Sequence, residues 1–463
     1  MARLLTLGTA LAWLSGCAAT ITPPDLGGLY SREAGSGHEQ RNPVIVIPGI
    51  LGSRLIEEPT GRVVWGAFAG DYADPRHAEG ARLVALPMAQ GVPLAELRDQ
   101  VISDGALDRV RVDLLILQLN IGAYVDILAT LGVGGYRDQQ LGQAGAVDYG
   151  KEHYTCFQFD YDWRRDLVEN AARFGRFLDE KAAYVSSVRG DDRPVRFDVV
   201  AHSMGGLVAR YYLRYGASEP RAGAVPTWRG ADRLENIVFV GTPNAGSVMS
   251  LGQLVNGVRI GPFLPTYNAV VLGTMPAIYQ LLPRSRHGRV IDLRTGEAID
   301  DLYDIELWKR NRWGLASPDA DATLRILLPD IDDAETRRRI ALDHLEKCLV
   351  RARRINAALD IPASPPPGVR LKLVAGDAIP TQSVMTVDPA TGRIRVSDHA
   401  PGDGTVTRDS ALMDERVGGE WQPRLVSPVH WDSVHFLFTD HLGLTKDPGF
   451  ADNVLYILLE EPR

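Results

Sequence analysis

Cysteine is scarce in this chain: three residues in 463, at positions 17, 156 and 348. None forms a C-x-x-C pair or a Cys/His spacing of the zinc type, which excludes a disulfide framework and predicts no metal. Cys156 and Cys348 can pair in an oxidising compartment if the fold brings them together, which their spacing does not show, so paired and free thiols are both open. Long runs of lysine or arginine are also missing, and the net charge is −8. Short clusters such as Arg337 to Arg339 and Arg351 to Arg354 suit solvated helix faces, so no nucleic-acid partner is expected. No pattern calls for a cofactor. What is present, 45% hydrophobic and 23% charged residues, is enough for a sizeable globular core. At this length an α/β core with insertions accounts for the chain as well as two or three separate domains.

The most informative stretch runs from Phe197 to Arg210, F-D-V-V-A-H-S-M-G-G-L-V-A-R. Its apolar beginning suits a buried parallel strand, and Leu207, Val208, Tyr211, Tyr212 and Leu213 then recur at helical spacing. Between them sits Ser203, with Ala201 and Gly205 two positions to either side. Small residues are needed there because a strand-to-helix turn this tight leaves no room beside an exposed hydroxyl. The pattern is that of a nucleophile elbow with alanine in place of the first glycine. In the plainer alternative Ser203 only caps the following helix.

Several other segments fall into place around that turn. Residues 1–17 carry one arginine, a short apolar run from Leu4 to Leu14, and then Ser15, Gly16 and Cys17, as in an export signal. Leu14 to Cys17 also resembles the bacterial lipobox, which makes Cys17 the expected lipidation site; an ordinary cleaved signal is the alternative. Residues 18–42, rich in Thr, Pro, Gly and Ser, are expected to be a flexible tether. Core then begins at Pro43 to Ser53, P-V-I-V-I-P-G-I-L-G-S, a buried strand ending in a glycine-containing loop that can aim an amide at a substrate carbonyl. With the residue after the serine as the other donor, the oxyanion hole is assigned to Ile50 and Met204. Val63 to Phe68 forms an apolar patch able to dip into lipid or to pack on the surface. Tyr124, Ile127, Leu128 and Leu131 share a helical face, Thr155 to Tyr161 is a strand, and Arg165 to Arg189 is a long amphipathic helix. Glu235 to Ser247 is another buried strand with a polar turn, at the edge of a sheet where sites form. Residues 248–367 lose the strand rhythm and carry scattered aromatics, and we expect a cap or lid there, inserted between core segments 43–247 and 368–463.

The chain order of an α/β-hydrolase triad is Ser, then Asp or Glu, then His, so both partners of Ser203 should follow it. Asp403 lies between two glycines, a turn that presents its carboxylate, while Asp377 and Asp398 are weaker alternatives. Of His430, His435 and His441, the last is preferred, because Leu442-Gly443 and a terminal helix over Phe450 to Leu458 follow it. His435, inside the apolar run Val434 to Phe438, suits a core or pocket position.

Taken together, P-V-I-V-I-P-G-I-L-G-S, Y-D-W-R (161–164), A-H-S-M-G-G-L-V-A-R, G-T-P-N-A-G-S (241–247) and G-D-G-T-V (402–406) resemble the lecithin:cholesterol acyltransferase family, which includes lysosomal phospholipase A2-type enzymes and bacterial members. The resemblance implies an α/β-hydrolase fold, a mostly parallel sheet with helices on both faces and an inserted cap. It also implies a Ser203–Asp403–His441 acyl-enzyme mechanism on phospholipid or similar esters, with transfer to water or an alcohol. It brings in Asp162, Trp163 and Arg164 as substrate-binding candidates, with a strand end and helix cap as their structural alternative. Two departures stand out: G-T-P-N-A-G-S is closer to bacterial lipases, and the cysteine pair of animal members is missing between Arg54 and Ala106. The expected protein is an exported, membrane-tethered acylhydrolase or O-acyltransferase of the bacterial cell envelope. A secreted triacylglycerol or short-chain ester lipase, and a non-catalytic lipid-binding lipoprotein, are the competing readings.

Overall fold

The computed structural model describes residues 22–36, 41–67, 70–107, 109–114, 117–122, 124–220, 223–259, 264–417 and 422–462, with backbone only for 109–114 and 117–122. Cys17, Phe68 and Phe263 lie outside the described residues.

Six short apolar segments pair into one parallel sheet: β1 (Val44–Ile47), β2 (Cys156–Gln158), β3 (Phe197–His202), β4 (Leu234–Val240), β5 (Arg370–Gly376) and β6 (Ser433–Leu437), in the order β6-β5-β4-β3-β1-β2. Alternation along each strand sends side chains to opposite faces, and both faces are covered. Ile45, Ile47, Val199, Ala201, Ile237 and Phe239 join one apolar cluster, whereas Val44, Val46, Val200, Val238 and Val240 join the other. This is why β1 and β3 read as near-continuous hydrophobic runs. The first face is packed by α2 (Leu167–Arg189) and α3 (Met204–Tyr215), the second by α1 (Val125–Val133) and α5 (Pro448–Leu459). Asp166 starts α2 by accepting from the amides of Val168 and Glu169, and Gly190 ends it in the left-handed conformation. The expected α/β-hydrolase architecture, a parallel sheet between helical layers, is what the chain adopts.

Between β4 and β5 the chain is mostly helical and includes the long α4 (Ala334–Leu359). Its aromatics pack together: Tyr279, Trp308 and Trp313 are fully buried, with ring centroids 5.5 and 5.6 Å apart along the series. The region is not free of strands, since Arg289–Asp292 pairs in parallel with Ile379–Asp388, which forms a hairpin with Arg393–Gly402. Segments on either side of residue 367 therefore share one small sheet.

One other expectation is revised, and two open questions are answered. Residues 26–29 and 31–35 form short helical turns within the stretch read as a tether. Tyr30 between them is buried and its hydroxyl donates to Asp452 Oδ1 of α5 at 2.7 Å, so this part of the stretch is docked. Trp65 is buried as well, edge-on to Trp163 and Tyr267, because its indole has packing partners and a carbonyl to bond; it is not offered to lipid. Cys156 and Cys348 are separate buried thiols in different apolar clusters. Among the described residues no helix is long and apolar enough to cross a membrane.

Candidate active site

All six strands point the same way, so the loops after β1, β3 and β6 meet at one edge of the sheet, the place where α/β folds build sites. Ser203 directly follows β3 there, with φ 53° and ψ −127°, a backbone state that L-residues rarely hold without support. Support comes from the Ser203 amide, which donates to Val240 O at 2.8 Å, and from close packing behind the turn. A Cβ on Gly205 would lie 2.4 Å from Pro48 O, and one on Gly206 would lie 2.0 Å from Thr242 Oγ1. Gly205 and Gly206 are thus required by contact with the chain at the ends of β1 and β4. The Ser203 side chain does not cap α3.

Its hydroxyl is instead 2.9 Å from His441 Nε2, and His441 Nδ1 is 2.8 Å from Asp403 Oδ2. A carboxylate accepts, so Nδ1 carries the ring proton and leaves Nε2 to accept from the serine. Asp403 Oδ1 is held by the amides of Thr405 and Val406 at 2.9 and 2.7 Å, and the His441 amide donates to Asp403 O at 2.9 Å. Gly404, at φ 87°, permits the turn that aims the carboxylate. Burial pushes the Asp403 carboxyl up, but His441 and the two amides outweigh it and hold the group below the usual aspartate range. The carboxylate stays ionised. Asp377, by contrast, faces Arg408, and Asp398 is exposed on the hairpin. His430 is exposed and His435 half-buried on β6, in register with Val374.

The loop after β1 runs against the serine so closely that a Cβ on Gly49 would lie 2.7 Å from Ser203 Cβ. Aromatic side chains hold four of its backbone groups. Tyr161 donates to Pro48 O at 2.9 Å, the Gly49 amide donates to Tyr124 Oη at 2.7 Å, and Trp65 donates to Leu51 O at 2.7 Å. Trp163 donates to Ser53 O at 3.2 Å. Among the described residues the amides of Ile50 and Met204 make no hydrogen bond, which leaves them available to an oxyanion.

Asp162, Trp163 and Arg164 are all buried. Arg164 pairs with Asp162 at 2.7 Å and Asp99 at 2.7 Å and donates to the carbonyls of Leu83 and Val84, the last residues of the helix Ala78–Val84. Of the two readings for these residues, the contacts fit the structural one: they anchor the 53 and 83–99 backbone. Tyr124 and His202 had no distinct signal in the sequence. Tyr124 is one member of a helix face in the sequence, and His202 drew no reading beyond its place in the Phe197–Arg210 stretch. Among the described residues no group of three or more His, Cys, Asp or Glu side chains is placed to hold a metal.

The parallel sheet and the serine turn define an α/β-hydrolase. The family the chain is similar to is lecithin:cholesterol acyltransferase, whose model matches residues 140–324, a span with Y-D-W-R, the serine turn and G-T-P-N-A-G-S. Among solved structures, the Tle4–Tli4 complex is similar with 17% identity over 90% of this chain and 98% of that one, at a TM-score of 0.57. Staphylococcus hyicus lipase aligns at 14% identity over 94% and 96% of the two chains, at a TM-score of 0.33. Phospholipase PlaB from Legionella pneumophila aligns at 14% identity over 60% and 41%, at a TM-score of 0.24. At these identities the first likeness bears on the fold alone. No curated protein sequence matches significantly. The family match supports an acyl-ester hydrolase or acyltransferase with lipid esters as substrates.

Proposed function

We propose that the protein cleaves lipid acyl esters through an acyl-enzyme on Ser203 and passes the acyl group to water or to an alcohol. His441 Nε2 takes the hydroxyl proton as Ser203 Oγ attacks the ester carbonyl, and Asp403 steadies the imidazolium that results. The amides of Ile50 and Met204 receive the negative charge on the tetrahedral oxygen. Collapse breaks the ester C–O bond, His441 returns the proton to the departing alcohol, and the acyl group stays on Ser203. Water or an acceptor alcohol then repeats the sequence with His441 as base. The observation that carries this reading is the continuous Asp403–His441–Ser203 chain at 2.8 and 2.9 Å, ending on a serine in strained backbone.

The test is labelling with a fluorophosphonate ester, followed by kinetics on a radiolabelled phospholipid. Wild-type protein should be phosphonylated on Ser203, and Ser203→Ala should lose labelling and about 10⁴–10⁶ in kcat while its melting temperature holds. Retained labelling in that variant would remove Ser203 from the mechanism, and an unreactive wild-type protein would favour the lipid-binding alternative. The ratio of acyl-alcohol to free fatty acid at rising alcohol concentration separates transferase from lipase.

A further inference from the structure

On either side of the serine, two backbone segments must arrive in register: the loop that offers the Ile50 amide, and the turn that carries His441. One buried side-chain pair joins them. The Gly49 amide donates to Tyr124 Oη at 2.7 Å, Tyr124 Oη is 3.2 Å from His202 Nδ1, and His202 Nε2 is 3.0 Å from the carbonyl oxygen of His441. Proton accounting gives the chain a direction. A carbonyl only accepts, so Nε2 carries the imidazole proton and Nδ1 must accept. The single hydroxyl proton of Tyr124 therefore goes to Nδ1, and its oxygen is left to receive the Gly49 amide.

The fit is close throughout. Tyr124 and His202 are 3% and 2% exposed, and their rings meet edge-on at 5.7 Å. A Cβ on Gly52 would lie 2.7 Å from Tyr124 Oη, so the loop is folded down over the tyrosine. The His202 ring lies 4.7 Å from that of His441. Burial, helped by the neighbouring His441, pushes His202 down to about 3, so the ring keeps the neutral form this wiring needs.

Resting on the function proposed above, we infer that Tyr124 and His202 are positioning residues that tie the oxyanion loop to the backbone of the catalytic histidine. Neither touches the reacting atoms. Tyr124 fixes where the amide after Gly49 points, and His202 fixes the height of the His441 turn. Loss of the bridge should uncouple the oxyanion hole from the base while leaving substrate binding alone.

The experiment uses the full chain and a pair of substrates, an ester and its thionoester. Sulfur is the weaker hydrogen-bond acceptor, so thionoester cleavage depends less on the oxyanion amides. In Tyr124→Phe, kcat for the ester should fall about 10- to 100-fold with KM within about threefold. Thionoester cleavage should fall far less, shrinking the ester-to-thionoester ratio about tenfold. His202→Gln, whose amide can accept and donate, should keep more ester activity than His202→Phe, with the same ratio as readout. An unchanged ratio in Tyr124→Phe, or equal activity in His202→Gln and His202→Phe, would overturn the inference. If Tyr124→Phe does not fold, the His202 pair decides. Failure of the wild-type protein to label on Ser203 would instead remove the function beneath it, so the two failures are told apart.

Discussion

Ser203 occupies a conformation that costs of the order of 1–3 kcal/mol, and the residues around it are chosen to hold it there. The acid and base show the same economy: Asp403 spends one oxygen on two amides and the other on His441. Asp403→Asn should therefore leave the turn in place but favour the wrong imidazole tautomer, lowering kcat about 10⁴-fold. Likewise His441→Ala should abolish fluorophosphonate labelling and His435→Ala should retain it, since His435 stands on β6 in register with Val374. Steady-state kinetics and labelling of the three variants check this, and a dead His435→Ala would reassign the base. Ser203 could be picked out in the sequence because the elbow is local, with every residue that shapes it within a few positions. Asp403 and His441 were approachable because triad order and flanking glycines narrow the choice. Tyr124 and His202 were not, because the meaning of each depends on a contact between residues 78 apart in the chain.

At the scale of elements, strands were the most legible. Val44–Ile47, Phe197–His202, Leu234–Val240 and Arg370–Gly376 are buried on both faces, and such strands advertise themselves as apolar runs. Segments organised by distant partners were harder. For Trp65 the sequence left lipid insertion and surface packing both open, because its cover, Trp163 and Tyr267, comes from far along the chain. The join between α3 and β1 yields a prediction of its own. In Gly205→Ala the new methyl would meet backbone oxygens of Pro48 and Ile47 at 2.4 and 2.8 Å, which no rotamer can relieve. The helix must back away from the oxyanion loop, so we expect a loss of about 1–3 kcal/mol in stability together with a sharp fall in kcat. Urea melts and kinetics on one preparation measure both, and an active, equally stable Gly205→Ala would contradict the packing described.

For the whole molecule, the buried histidines set how it responds to acid. Burial pushes His202 from 6.5 down to about 3, and it pushes His287 and His344 down to about 4. Well above pH 6.5 the three rings are neutral in both states and add almost nothing to the pH dependence. As pH falls from 6.5 toward 4, the unfolded chain takes up protons that the folded chain refuses, so stability declines with pH. At pH 5 the loss is about 2 kcal/mol for each histidine. Thermal or urea melts between pH 7 and pH 4.5 should show a steady fall, and a flat profile would mean that these rings are solvated in solution. The position of β6 has a different consequence, one that concerns time. The strand lies at the edge of the sheet and comes late in the chain, and His441 follows it. A ribosome must therefore add 238 residues after Ser203 before His441 can meet it. Until then the growing chain carries Ser203 without the partner that the proposed mechanism requires.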